Sequence, residues 1–568
     1  MKRMQVLLAA LLLLMGTWFL GVRAYGEEND PQTKAAGDYE YELLDDGTAE
    51  IVRYNGSAAY LTVPETIGEY EVTSIGRFAF TGCGSLRTIT LPETIETITS
   101  NPFAGCSRLH TIKLSGESKY LEVVDGLLYH KKDRRLICCP TDMRAPGTVE
   151  VAEKTREIGD FAFFQCERIA GIQLPESVER IGASAFKHCE KLGELNFPEH
   201  LKSVGSSAFE ACGALAGADL PEGLQSIGAD AFRSCTGLTY VQIPDSLKVI
   251  EGNPFADCTG LTEIRISSEH PVFAVLNQAL LNISDGTLVC YPAGLPDMEW
   301  ELPGEVQVIG AYAFFNCRNL AHVYMTEGLT EIRDSAFAGC SGLENVELPA
   351  GTRSIGSFAF EYCERLNSIG LPEGLETIGS NAFSLCGRLT EVDLPEGLSY
   401  LGDDAFAFCS SLSRIQLPDS LTEIDTNPFT YCISLREIQV SSEHPVFAVM
   451  NHVLFNMEEK TLVCYPAGLL TRVYQVPEEI ERIGEFAFYN CDGLQSLYLT
   501  EGVTEIADNA FDYCVNLRRA RLPRSVKEIG NNAFGHCGNC VFLVPEGSIA
   551  AEYCEENELK FKYRKMKE

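Results

Sequence analysis

Apolar residues recur along this chain at a fixed spacing, and a cysteine marks each recurrence. Within four groups the cysteines follow one another every 23 residues, at 83–106, 166–258, 317–432 and 491–537. Residues 371–393 (LPEGLETIGSNAFSLCGRLTEVD) show the shared pattern, with apolar positions at Leu371, Leu375, Ile378, Ala382, Phe383, Cys386, Leu389 and Val392. Such a period is typical of a solenoid, in which each unit buries its apolar face only by stacking on its neighbours.

The pattern within one unit predicts its local structure. Val392 and Leu394 alternate with polar residues, which predicts a short strand, and Pro395 ends it because proline cannot donate to a ladder. Ile378-Gly379 closes a second extended segment. The AF-x-x-C stretch is too short for an independent helix and predicts one helical or 3-10 turn. The predicted fold is a β-rich α/β solenoid of 23-residue units, each a short parallel strand plus such a turn.

Three inserts interrupt the period, near 115–145, 267–297 and 441–471. Each follows a unit with Asn-Pro-Phe in place of x-Ala-Phe, at 101–103, 253–255 and 427–429. Two apolar runs flank a polar turn inside each insert, which predicts a β-hairpin. The hairpins act either as contact features or as stiffeners between blocks, and their apolar content favours stiffeners. The stretch SSEHPVFAV occurs at both 267–275 and 441–449, so a segment is duplicated at an offset of 174 residues.

The unit LP-x-x-L-x-x-I-G-x-x-A-F-x-x-C-x-x-L resembles the BspA-like leucine-rich repeat family of bacterial surface proteins. The resemblance extends over about residues 39–563. Residues 45–80 resemble the strand-rich first unit of that family, and 544–564 resemble its terminal cap, a helix followed by a strand. The resemblance implies adhesin-type roles, in which members attach to host matrix proteins or other cells.

The first residues have the three parts of a secretory signal. Lys2 and Arg3 precede an apolar run at 6–22, and Val22-Arg23-Ala24 offers small residues for cleavage after Ala24. An uncleaved anchor helix stays open as an alternative, because the run sits at the lower limit for spanning a bilayer. We expect a secreted or cell-surface protein with this domain plan: signal peptide 1–24, N-terminal cap unit 25–80, solenoid 81–538, C-terminal cap 539–568.

The charge balance restricts the partners. The chain has 45 Lys and Arg against 80 Asp and Glu, a formal net charge of −35. Such a chain repels nucleic acid phosphates and anionic lipid headgroups. We therefore expect extracellular proteins or glycans as partners, no nucleic acid, no membrane span after signal cleavage, and a monomer.

Twenty-two cysteines in an exported chain raise the question of disulfides. Sixteen share one repeat position and are predicted to form a column of buried thiols, which behave as small hydrophobes and meet disulfide geometry poorly. Cys540 and Cys554, in the predicted cap, are the best disulfide candidates. Cys537-Gly538-Asn539-Cys540 spells C-x-x-C, but no helix N-terminus or second pair accompanies it, so a redox or zinc role is not expected.

No motif for catalysis or for cofactor binding occurs in the sequence, so we expect no enzyme, no cofactor and no metal site. His270 and His444 repeat each other in the SSEHP turn and are predicted to be structural. The spread of acidic residues is typical of solvated faces, with weak calcium binding left open. The basic residues near the C-terminus contact a wall polymer or form a solvated end; they are Lys560, Lys562, Arg564, Lys565 and Lys567.

The outward positions of the predicted strands form the candidate binding surface. These positions lie five and seven residues after each cysteine and vary from unit to unit, whereas the core positions hardly change. Tyr324 and Tyr498 are equivalent in the duplication, and tyrosine is a favoured contact residue. The candidates on the predicted concave face are Tyr240, Arg265, His322, Tyr324, Glu391, Asp393, Arg414, Tyr498, Arg519 and Arg521.

Two hypotheses of function follow. The first is an exported interaction scaffold, adhesin-like, that binds host or cell-surface proteins or glycans through the sheet. The second is a passive spacer or envelope component without a specific ligand. An exported hydrolase would need a long unrepeated segment, and the sequence has none.

Overall fold

The computed structural model describes residues 33–143 and 147–564. Their regular structure is almost entirely strand, and the one helix among these residues is Ile549–Glu556. The protein is a solenoid of strands and turns, which confirms the predicted β-rich repeat solenoid but not its α/β description. The predicted signal segment 1–24 lies outside the described residues.

Two rows of short strands run through the repeats. Row 1 contains the strands that follow the repeat cysteine and the strands that pair with them in the same sheets. Row 2 contains the two-residue strands that end at the isoleucine position of the Ile-Gly step. The strands of row 1 are Tyr60–Thr62, Thr88–Leu91, Thr111–Leu114, Thr148–Glu150, Gly171–Gln173, Glu194–Leu195, Gly217–Asp219, Tyr240–Gln242, Glu263–Arg265, Glu299–Glu301, His322–Tyr324, Asn345–Glu347, Ser368–Gly370, Arg414–Gln416, Glu437–Gln439, Val473–Gln475, Ser496–Tyr498, Arg519–Arg521, Val541–Val544 and Phe561–Tyr563. The strands of row 2 are Thr97–Ile98, Glu157–Ile158, Arg180–Ile181, Ser203–Val204, Ser226–Ile227, Val249–Ile250, Val308–Ile309, Glu331–Ile332, Ser354–Ile355, Thr377–Ile378, Tyr400–Leu401, Glu423–Ile424, Arg482–Ile483, Glu505–Ile506 and Glu528–Ile529.

Within each sheet, parallel pairing joins neighbouring units with a shift of one repeat. In row 1 Val346 lies opposite Ile369, and in row 2 Ile355 lies opposite Ile378. Each 23-residue unit is thus one rung, as the period predicts. The strand predicted at Leu389–Leu394 is reduced to a single bridge at Asp393, because the adjoining contact from Ser413 N to Thr390 O is long, at 3.4 Å.

The turn that contains Ala-Phe is not helical. Asn381 and Leu385 have φ angles of 56° and 62°, and the equivalent positions in most other units are also left-handed. A helical or 3-10 turn needs negative φ at successive residues. The predicted helical or 3-10 turn is therefore wrong, and the segment is a series of β-turns in which Cys386 N donates to Phe383 O at 3.2 Å.

Backbone hydrogen bonds between units hold these turns in place. Phe360 N donates to Ala382 O of the next unit at 2.7 Å, and Phe383 N donates to Ala405 O at 2.7 Å. A left-handed non-glycine residue costs roughly 1–2 kcal/mol. The bonds to the next rung offset this cost in a way that an isolated unit could not.

The interior of the rungs is a ladder of identical side chains. Phe314, Phe337 and Phe360 stack with ring centroids 4.6 and 5.0 Å apart and nearly parallel planes. The repeat cysteines line the same core, and the thiol of Cys386 donates to Phe360 O at 3.2 Å. The predicted column of buried cysteines is present.

The inserts are three-stranded antiparallel sheets, one strand more than the predicted hairpin. Their strands are Leu121–Val124, Leu127–His130, Arg135–Cys138, Phe273–Leu276, Ala279–Asn282, Thr287–Cys290, Phe447–Met450, Val453–Asn456 and Thr461–Cys464. A two-residue turn with positive φ at both positions joins the first strand to the second, as at Asn277 and Gln278. The third strand pairs in parallel with row 2, with Leu288 opposite Ile309. This continuity, with the burial of Leu280 and Leu281, supports the stiffener interpretation.

The Asn-Pro-Phe units form a joint with the rung beyond the insert. Asn253 Oδ1 accepts from Phe255 N at 2.9 Å, and Asn253 Nδ2 donates to Tyr312 O at 2.8 Å. The other two asparagines, at 101 and 427, make the same pair of bonds. The side-chain amide thus replaces the backbone bonds that the insert interrupts.

Both ends of the solenoid are covered. The first end carries the strands Lys34–Ala36, Tyr39–Leu43, Ala49–Tyr54, Thr66–Ile67 and Tyr70–Ile75. At the other end Ser548 caps the helix Ile549–Glu556, and the hydroxyl of Tyr553 accepts from Phe534 N at 3.4 Å. Phe561–Tyr563 then pairs with Val541–Val544, so a helix and a strand follow one another as the resemblance implies.

The chain divides into two compact units. Of the described residues, one unit comprises 33–143 and 154–168, and the other comprises 147–153 and 169–564. The predicted limits of the signal, cap units and solenoid stay predictions.

Candidate binding surface

The outward side chains of row 1 form the candidate surface, because successive residues of a strand point to opposite sides. Glu263–Arg265, Asn345–Glu347 and Arg519–Arg521 share one pattern, in which the middle residue is buried and its neighbours are exposed. Eight candidates lie at such outward positions of row 1: Tyr240, Arg265, His322, Tyr324, Arg414, Tyr498, Arg519 and Arg521. Glu391 and Asp393 are exposed beside them, outside any strand.

Tyr240 and Arg265 contact each other on this surface and are held by acidic neighbours. The Tyr240 hydroxyl donates to Asp219 Oδ2 at 2.9 Å, and the Arg265 guanidinium lies 4.1 Å from the Tyr240 ring centroid. Arg265 also pairs with Glu263 at 2.6 Å. The hydrogen bond to Asp219 raises the pKa of Tyr240, and the bond to Arg265 lowers the pKa of Glu263. An open groove of about 760 Å³ adjoins Arg265 and is bordered by the insert residues 274–276.

The duplicated segment does not repeat this cluster. Arg414 occupies the position equivalent to Tyr240, and its guanidinium pairs with Glu391 at 3.1 Å. Tyr324 contacts Glu299 through its hydroxyl at 3.3 Å, and the charge of Glu299 raises the pKa of Tyr324. The exposed residues of row 1 therefore change where the core does not.

Tyr498, Arg519 and Arg521 belong to a separate sheet at the C-terminal end of row 1. Ser496 lies opposite Arg519, and Tyr498 lies opposite Arg521. The structure thus divides the eight candidates on strands among several sheets and does not gather the ten into one pocket.

A second cluster lies in the turns that contain Ala-Phe, and the sequence pattern did not predict it. In the first copy of the duplication, Arg233 is buried, pairs with Asp230 at 3.5 Å, and lies 5.0 and 5.1 Å from the rings of Tyr312 and Phe315. In the second copy Ala407 replaces this arginine.

The carboxyl group of the second copy is left without its cation. Asp404, equivalent to Asp230, has a buried Oδ1 with no hydrogen-bond partner, and burial raises its pKa to about 7. Phe486 and Tyr489 keep the edge-to-face arrangement of the aromatic pair in the first copy, with centroids 5.6 Å apart. The substitution at an offset of 174 residues is the sequence signal for this site.

The cysteines are free thiols throughout the structure. Burial raises the pKa of Cys540 and Cys554 to about 12, which disfavours the thiolate that redox chemistry and metal binding need. Cys537 of the C-x-x-C stretch donates to Phe511 O at 3.2 Å, like the other column cysteines. Cys83 differs, because it is half-buried and a hydrogen bond with Cys106 lowers its pKa.

The histidines of the SSEHP turns are structural. His270 Nδ1 accepts from Phe273 N at 3.0 Å, and Nε2 lies 3.1 Å from Pro244 O. His444 makes the equivalent contacts. Over 33–143 and 147–564, no group of three or more His, Cys, Asp and Glu side chains could hold a metal ion. Within the same ranges no helix has the length and apolar character to cross a bilayer.

Comparison with protein families identifies a repeat family. The family described as BspA type leucine rich repeat region matches residues 56–124, 156–275, 298–352, 330–451 and 469–551, well over half of the chain. A search of curated proteins finds no match.

Solved structures of several bacterial proteins are similar. A leucine rich cell surface protein from Faecalibacterium prausnitzii is 27% identical over 73% of this chain and 96% of its own, with a TM-score of 0.45. A leucine-rich repeat protein from Bacteroides ovatus is 23% identical over 79% of this chain and 100% of its own, with a TM-score of 0.35. The pneumococcal vaccine antigen PcpA is 18% identical over 94% of this chain and 99% of its own, with a TM-score of 0.32.

Proposed function

Because the chain belongs to the BspA-type leucine-rich repeat family, we propose that it is an exported interaction scaffold that binds extracellular proteins or glycans through the outward side chains of row 1. The matched family is a repeat family and not a catalytic one. The signal pattern at 1–24 supports export, and the net charge of −35 argues against nucleic acid partners.

The observation that carries the proposal is the contrast between the two faces of row 1. The middle residues of its strands, such as Val323, Val346 and Ile415, are buried and apolar in rung after rung. The exposed neighbours change between aromatic, basic, acidic and amide side chains. A stack of uniform rungs with variable exposed positions gives a recognition surface whose residues can change without loss of the core.

The test is retention on immobilised candidates. The purified chain is passed over fibronectin, fibrinogen, mucin and cell-wall fragments, alongside a Tyr240→Ala/Tyr324→Ala variant. We expect saturable retention of one component and at least tenfold weaker retention of the variant, because exposed tyrosines are frequent binding hot spots.

A matched control changes an exposed apolar residue away from row 1. Ile433→Ala removes such a side chain from the loop after a repeat cysteine and is expected to leave retention unchanged. Equal loss in both variants would contradict a role for row 1. No retention of any component by the folded chain would favour the passive spacer.

A further inference from the structure

The last sheet of row 1 has an unusual charge for this protein. Its five strands, from Val473–Gln475 to Phe561–Tyr563, contain no Asp or Glu but include Arg519, Arg521 and Lys562. The four-stranded sheet from Glu299–Glu301 to Ser368–Gly370 has the reverse character, with three glutamates and no Lys or Arg. This sheet is therefore basic within a chain of net charge −35.

The cations of this sheet are exposed and uncompensated. Arg519, Arg521 and Lys562 form no ion pair or side-chain hydrogen bond with any residue in 33–143 or 147–564. The arginines elsewhere on row 1 differ, because Arg265 pairs with Glu263 and Arg414 with Glu391. Unpaired guanidinium groups keep their full capacity for bidentate bonds to carboxylate or sulfate.

The register places Arg521 and Lys562 in a line with the ring of Tyr498, and Arg519 lies two residues from Arg521 on the same strand. Arg521 lies opposite Tyr498 on one side and Leu543 on the other, and Leu543 lies opposite Lys562. Strand geometry separates Arg519 from Arg521 by about 7 Å and Arg521 from Lys562 by about 10 Å. Anionic groups repeated along a linear polymer match such a spacing.

The size of the sheet favours a narrow ligand. Five strands about 4.8 Å apart span about 19 Å, and three residues extend about 10 Å, so the face covers roughly 200 Å². A stable protein interface needs about 800 Å² on each partner. An extended chain of sugars fits a face of this size, and the Tyr498 ring can stack on a sugar face.

We propose that this sheet binds an acidic polysaccharide, whose carboxylate or sulfate groups contact Arg519, Arg521 and Lys562 while a sugar ring packs on Tyr498. The inference rests on the proposed function and names the ligand class for the C-terminal part of the same surface.

The experiment measures binding of the full chain to polygalacturonate, with fully methyl-esterified pectin as the uncharged counterpart. We expect binding to polygalacturonate only, weakened as NaCl rises. Arg519→Ser/Arg521→Ser should weaken it at least tenfold. The matched control Arg333→Ser/Arg482→Ser removes two exposed, ion-paired arginines outside row 1 and should change it less than twofold. Equal losses in the two variants, or no binding by the folded wild-type chain, would overturn the inference.

A second comparison separates a polysaccharide from other polyanions. Polyglutamate supplies carboxylates without sugar rings, and vesicles with 30% phosphatidylserine supply an anionic surface. Tyr498→Ala should weaken polygalacturonate binding several-fold and leave polyglutamate binding unchanged. Tighter arginine-dependent binding to polyglutamate or to the vesicles would reject the polysaccharide. A further outcome is that the wild-type chain fails to bind polygalacturonate and is still retained, through Tyr240, on one of the other immobilised components. That result would refute the inference and leave the proposed function standing.

Discussion

Asp404 is equivalent to Asp230 of the first copy, but Ala407 stands where the first copy has Arg233. The carboxyl group of Asp404 therefore lacks the arginine that pairs with Asp230. Burial raises its pKa from 3.8 to about 7, and the nearby Asp403 and Glu485 act in the same direction. The folded state therefore holds a proton that the unfolded chain releases at lower pH. This contribution to stability is fully present below about pH 4 and is lost as the pH rises through 7.

We expect Asp404→Asn to raise the free energy of unfolding at pH 7.5 by about 1–3 kcal/mol, because the neutral amide removes a buried, unpaired charge. The gain should vanish near pH 4, where the carboxyl group is neutral in the folded protein. Urea titrations at several pH values measure both effects.

The matched control is Asp230→Asn in the first copy. It should destabilise the protein at pH 7.5, because the buried Arg233 would then lose its ion pair with Asp230. A stabilising effect of both substitutions would show that the arginine makes no difference between the copies.

At the scale of the element, the Asn-Pro-Phe joints depend on one amide. Asn253→Ala removes both the bond accepted from Phe255 N and the bond donated to Tyr312 O. We expect a loss of about 2–4 kcal/mol, since two buried backbone groups lose their partners. Thermal or urea unfolding followed by circular dichroism measures it.

Asn381→Ala is the control for this prediction. Asn381 occupies the same motif position in an ordinary unit and has a φ of 56°, so alanine there should cost only about 1 kcal/mol of backbone strain. A loss as large as that for Asn253→Ala would contradict the joint.

The sequence predicts the rungs well because the features that define them are periodic. Spacing alone identifies the buried Cys386 and Phe383, and the outward positions of Arg265 and Tyr324, since every unit repeats the same alternation. Contacts between adjacent rungs, such as Tyr240 with Asp219, follow from the same register.

Other features depend on interactions that local sequence does not encode. Leu385 and Phe358 adopt left-handed φ because neighbouring rungs bond their backbones, and neither residue type signals that conformation. The turn at Asn277 and Gln278 lacks the glycine that usually marks a two-residue hairpin, so the first insert strand was not predicted.

At the scale of the whole molecule, register decides which deletions the solenoid tolerates. Removal of residues 348–370 joins Glu347 to Leu371, which restores the Glu-Leu-Pro sequence of an intact unit. We expect this deletion to fold cooperatively, because the remaining rungs still pair in phase. Removal of 348–359 should disrupt the fold, because it leaves half a rung.

Circular dichroism and urea unfolding distinguish the two deletions. The 23-residue deletion should keep the wild-type spectrum and a single sharp transition, and the 12-residue deletion should lose both. Cooperative folding of the shorter deletion would refute the rung register.

The joints at Asn101, Asn253 and Asn427 also determine which duplications of the gene give a chain that can fold. Each joint carries its own hydrogen-bonding partners, so recombination that copies a block together with its insert yields ends that still fit. The core of the new block must keep its packing for the rungs to stack, whereas its exposed positions can diverge. The replacement of Tyr240 by Arg414, and of Arg233 by Ala407, is the divergence expected after one such event.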